Sequence, residues 1–197
     1  MGNITNSFSY SDFRPSEESV LWMPRNDYQT LLIRTLADNL EGTISRLPSG
    51  SRFKIIKAKE VSDGSKVSDI SECDHLFGDP AESSEELRKK VGDIYYFSVG
   101  AVDIVPVNID ILNLYKFMVD LTIRCRVKFG KIILEYGGNN PHIHVSNDMY
   151  EIYGPFISTF MYSKKFIYTT DNGVSYQEYQ TDNRKCKGII KIGDIDA

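Results

Sequence analysis

Residues 131–146 read KIILEYGGNNPHIHVS, and the fold turns on this stretch. The apolar run Lys131 to Tyr136 suits a strand, and Gly137, Gly138, Asn139 and Asn140 are four consecutive turn formers. Beyond the turn, Ile143 and Val145 alternate with His142, His144 and Ser146. Alternation with a period of two puts His142 and His144 on one face of a strand and the aliphatic residues on the other. The stretch therefore predicts β-structure with a histidine-bearing face.

Working outward, Asn26 is an N-cap candidate for a helix in which Tyr28, Leu31, Leu32, Thr35, Leu36 and Leu40 recur at helical spacing. Pro48, Ser49 and Gly50 break that pattern, and Phe53, Ile55 and Ile56 suggest a short strand after the break. Residues 58–74 are polar and predict a long surface loop; Glu82 to Lys90 is a short charged helix candidate. Ile94 to Val99 and Ala101 to Val107 suit β-structure on either side of Gly100. A second main helix is predicted over Ile111 to Arg124, its acidic start at Asp110 and basic end matching the helix dipole. Asp171, Asn172 and Gly173 mark a hairpin turn in a Tyr-rich, β-prone tail. Together these elements predict an α+β fold: a mainly antiparallel sheet with two main helices on one face. The 197 residues suit one domain, 1–197. Within it, residues 1–25 form an aromatic arm whose Phe8, Phe13 and Trp22 are too apolar for a free tail, and 150–197 a β-rich extension.

Composition excludes several classes. A formal charge of -4 argues against a broad nucleic-acid-binding field. Cys73, Cys125 and Cys186 are odd in number and widely spaced, so they read as reduced thiols rather than a zinc knuckle or disulfide scaffold. No apolar run reaches the ~18 residues of a membrane helix, and the polar start MGNITNSFSYS has no signal core. The expectation is a soluble chain with neither nucleic-acid nor membrane partners.

The chain has only three histidines. Zinc accepts imidazole nitrogen and carboxylate oxygen, and a catalytic site keeps three protein ligands and leaves a fourth position open. His75, Asp103 and His144 are one such set, with Glu135 placed to take a proton from water. Asp103 is the most informative, because an ionised carboxylate inside an apolar strand is costly without a partner. Each also has a plainer reading: Asp103 at a solvent-facing strand end, His75 in a turn capped by Asp74, and Glu135 as a solvated strand residue.

Read in chain order, these fragments form a resemblance. FSYSDFRP (8–15), LPSGSR (47–52), DHLFG (74–78), AVDI (101–104) and ILEYGGNNPHIHVS (133–146) are similar to the successive elements of the zinc D-alanyl-D-alanine carboxypeptidase superfamily. That superfamily includes phage L-alanyl-D-glutamate endolysins and shares its fold with the Hedgehog signalling domain. The resemblance implies Zn2+ as cofactor, His75, Asp103 and His144 as metal ligands, and Glu135 as general base. It further implies His142 as an oxyanion stabiliser and Arg52 as the holder of a substrate carboxylate through a bidentate contact. In the family the first two ligands stand close in sequence, whereas here 79–100 intervenes. Either 79–100 is an insertion, or SVGAVDI is the contiguous element and the first-ligand position falls near Tyr96. Two functions follow as expectations. One is a phage-encoded peptidase cleaving peptidoglycan stem peptides, present in the bacterial cytoplasm before release. The other is a non-enzymatic virion structural protein that keeps the fold with a decayed site and contacts other virion subunits.

Overall fold

The computed structural model describes residues 3–15, 22–58, 75, 77, 99–137, 139–148, 165–169, 175 and 177–178. Its elements begin with a 3-10 turn at Tyr10–Phe13 and helix α1 at Asp27–Ile44, followed by β1 (Arg52–Lys57) and β2 (Ala101–Val107). Helix α2 (Ile111–Ile123), β3 (Phe129–Glu135), β4 (His142–Asn147), β5 (Lys165–Thr169) and β6 (Gln177–Glu178) complete the order.

Both helices start where their capping residues dictate. The Asn26 side chain accepts from the Gln29 N–H at 2.8 Å, and the Asp110 carboxylate accepts from the Leu112 and Asn113 N–H groups at 2.9 and 3.1 Å. Each cap satisfies donors that the first turn cannot pair internally. The apolar stripe of α1 (Leu32, Ile33, Leu36, Leu40) and that of α2 (Leu114, Tyr115, Met118, Val119) join one buried cluster. From the strands, Phe53, Val102, Ile104, Ile132, Leu134, Ile143 and Val145 enter the same cluster. These are alternate residues of their strands, so both helices cover one face of the sheet.

The six strands run β1-β2-β4-β3-β5-β6. Four neighbouring pairs are antiparallel, as anticipated, but β3 and β5 are parallel, with Ile133 opposite Ile167, and the sheet is mixed. The reason is connectivity. Strand β4 has already reversed the chain, so β5, added on the other side of β3, runs in β3's own direction. Tyr115 ties α2 to that added strand by donating its hydroxyl to Ile167 O at 3.0 Å.

The arm lies in the core: Phe8, Phe13 and Trp22 are buried, and Phe8 stacks on Phe53 of β1. The helix anticipated over 82–90, the strand over 94–98 and the turn at 171–173 lie outside the described residues, as does most of the polar stretch 58–74. Strands β5 and β6, which flank that turn, do pair antiparallel. Among the described residues no helix is long and apolar enough to cross a membrane.

Candidate metal centre

Register builds the centre. Asp103 of β2 stands directly opposite His144 of β4, and His142 stands opposite Glu135 of β3. Because the flanking residues Val102, Ile104, Ile143 and Val145 point to the helices, Asp103, His142, His144 and Glu135 share the other face. The histidine-bearing face read from HIHVS thus exists, and among the described residues it is opposite the face that both helices cover.

His75 joins them from the segment between β1 and β2. Its Nε2 lies 3.4 Å from Asp103 Oδ1, while His144 Nδ1 lies 3.0 Å from the same oxygen. The two imidazole rings meet edge to face with centroids 5.0 Å apart. His75, Asp103 and His144 are 3, 6 and 4% exposed, and each offers a ligand atom within 4.8 Å of the others. Tetrahedral coordination at 2.0–2.1 Å separates ligand atoms by about 3.3 Å, so the two edges at Asp103 already match that size. This buried group could hold a metal ion. Two imidazoles and one carboxylate form a donor set shared by zinc hydrolases and non-haem iron(II) sites.

Electrostatics agree. Burial alone would raise the Asp103 pKa, but hydrogen bonds and positive potential from His144 and His75 outweigh it and hold the carboxyl well below the usual range. An ionised, buried oxygen is what a cation needs. Orientation of the rings is also set. His75 Nδ1 donates to Ala58 O at 2.9 Å, leaving Nε2 as the nitrogen aimed at Asp103.

The rim comes from His142 and Glu135. His142 donates from Nδ1 to Asn140 O at 2.9 Å and turns Nε2 towards Glu135 Oε2 at 3.5 Å and Asp103 Oδ2 at 3.8 Å. Five of the six residues singled out in the sequence are therefore brought together. Arg52 is not. It opens β1 opposite Val107, four residues along β2 from Asp103, or about 13 Å at the usual strand rise, and its side chain is exposed. Of the two positions considered for the first ligand, His75 reaches Asp103, and Tyr96 lies outside the described residues. The carbonyls of Ala58 and Asn140, which orient two of the rings, carried no sequence signal, since any residue type supplies a carbonyl. Phe77 was missed as well, although it stands two residues from His75 within DHLFG.

Comparison with protein-family profiles, curated proteins and solved structures yields no match. The chain is thus defined by its own geometry, as a mixed α+β sheet-and-helix fold with a candidate His-Asp-His metal centre on the sheet face opposite α1 and α2.

Proposed function

We propose that this chain is a zinc-dependent peptidase acting on peptidoglycan stem peptides, a divergent and phage-encoded member of the carboxypeptidase and Hedgehog-like superfamily. The observation that carries the proposal is the convergence of His75, Asp103 and His144 beside the Glu135–His142 pair. A buried ligand set with an ionisable pair at its rim is the arrangement that hydrolysis uses. A bound zinc ion supplies Lewis acidity, polarising a substrate carbonyl and acidifying a water molecule.

The protein's own groups do the rest. Glu135, half-buried at the rim, accepts the proton of the attacking water and returns it to the leaving amine. His142, oriented by Asn140 O, presents Nε2 to the same space and donates to the carbonyl oxygen as charge develops there, when the ring is protonated. Arg52 is reached only by an extended ligand. A stem peptide, with its free carboxylates, is such a ligand, and a guanidinium would bind one of them with two parallel hydrogen bonds.

The test is metal analysis of the purified protein together with cleavage of defined muropeptides, repeated with Glu135→Gln and His144→Ala. Zinc near one equivalent and cleavage are expected in the native chain. Glu135→Gln should retain the metal and lose about 100-fold to 10,000-fold in rate, the usual contribution of a general base. His144→Ala should lose both. Iron in place of zinc, or a zinc-loaded protein that cleaves no stem peptide, would overturn the peptidase reading and favour a virion component that retains the fold.

A further inference from the structure

Two of the three ligand residues, Asp103 and His144, are held by strands paired along the sheet. His75 belongs to none of the strands, so something else must place its ring. We infer that Phe77, held by the N-terminal aromatic arm, is the positioning residue for His75, so that the arm sets the metal affinity of the centre. The inference rests on the metal-centre reading and is independent of any substrate.

The contacts converge on Phe77 from three sides. Its side chain is fully buried. Its ring meets Phe13 of the arm edge to face, with centroids 6.3 Å apart. Its carbonyl accepts from Gln29 Nε2 of α1 at 3.3 Å. On the third side the ring packs closely on Gly100, where a Cβ would fall 2.6 Å from Cδ1 of Phe77. Gly100 immediately precedes β2, the strand that carries Asp103. Phe77 is thus wedged between the arm, α1 and the entrance to the ligand strand.

The backbone argues in the same direction. Phe77 has φ of 46°, a left-handed conformation that a bulky residue adopts only where its surroundings enforce it. Here burial of the ring is the enforcing term. The circuit then closes on the other side of His75: Phe13 packs on Phe8, Phe8 stacks on Phe53 of β1, and β1 leads to Ala58, whose carbonyl receives His75 Nδ1–H. Both attachments of the ligand, the ring two residues away and the carbonyl, therefore trace back to the same arm. What they fix together is the direction of the His75 ring and the nitrogen that keeps its lone pair for the ion.

The experiment uses the full chain with Phe77→Ala, Phe77→Leu and Leu40→Ala, the last a buried α1 residue about three helical turns beyond Gln29. Co2+ is titrated into each, following affinity and visible ligand-field absorption, and thermal melts of the metal-free proteins report fold stability. The His75 tautomer is read by nitrogen NMR without metal at alkaline pH. Phe77→Ala should bind Co2+ about 10-fold to 100-fold more weakly, the range expected when support behind a ligand is lost, with an altered spectrum and a mixed His75 tautomer. Phe77→Leu should recover most of the affinity. Leu40→Ala should melt earlier and yet bind Co2+ as the native chain does. Native Co2+ affinity and spectrum in Phe77→Ala, or equal weakening in Leu40→Ala, would overturn the inference. Should the native chain bind no Co2+, the metal-centre reading falls, and the tautomer decides the rest. A single Nδ1–H form lost in Phe77→Ala upholds the positioning role, and an unchanged form refutes it.

Discussion

Asp103 is the residue on which the centre depends. One of its oxygens faces His144 Nδ1 at 3.0 Å and His75 Nε2 at 3.4 Å. Its folded-state pKa is depressed, so its contribution to stability is present above the unfolded value, near 3.9, and disappears only as pH falls through the lower folded value. Between pH 7 and 5 it stays a carboxylate. Imidazoles, by contrast, ligate only in the neutral form, so protons compete with the ion for them. Acidification should therefore release zinc while Asp103 is still ionised, with more than one proton taken up per ion. Equilibrium dialysis against zinc from pH 8 to 4 measures this, and a slope of one proton or fewer per ion would contradict it. Asp103→Asn, nearly isosteric but uncharged, should weaken zinc binding by more than about 100-fold at pH 7.5, exceeding the usual loss for a supporting residue.

At the scale of elements, Asn147 joins a helix to the sheet. It ends β4 fully buried and donates from Nδ2 to Leu32 O of α1 at 2.9 Å and to Val99 O, just before β2, at 2.7 Å. Truncation to Ala removes both bonds and takes this donor from the buried Val99 carbonyl, whereas Leu32 O keeps its place in the helical ladder, so Asn147→Ala should cost about 1–3 kcal/mol by urea denaturation. A loss below about 0.5 kcal/mol would show the bonds to be incidental. What the sequence revealed follows from how local each signal is. Asn26 and Asp110 betray the helices because a cap acts within its own first turn, and HIHVS betrays β4 because alternation is a property of one strand. The parallel position of β5 is set by where residues 148–164 deliver the chain, which no local pattern encodes. Arg52 was grouped with the site by resemblance, whereas its distance from Asp103 follows from the β1–β2 register across a long connection. His75 stands out only by its donor chemistry and by resemblance, since its neighbours have no periodicity, and Phe77 beside it looks like any apolar residue. Phe8, Phe13 and Trp22, by contrast, are too apolar for a free tail, and all three are buried in their own chain.

Across the whole molecule the sheet acts as a partition. Its helix-bearing face is aliphatic and aromatic, and its other face carries the ionisable residues, so changes on one side reach the other mainly through the backbone. Within that sheet β4 is hydrogen bonded along both edges, to β2 and to β3. Its amides should exchange with solvent only when the domain opens globally, and His144 shares that permanence. His75 has no strand to hold it. The consequence is one of timing: two donors keep their places for as long as the protein stays folded, and the third decides when an ion departs. Challenged with excess chelator, the zinc-loaded protein should release its ion much faster than the β4 amides exchange, and Phe77→Ala should quicken the release while leaving those amides slow. Release and amide exchange at one common rate would mean that the centre opens only as the fold does.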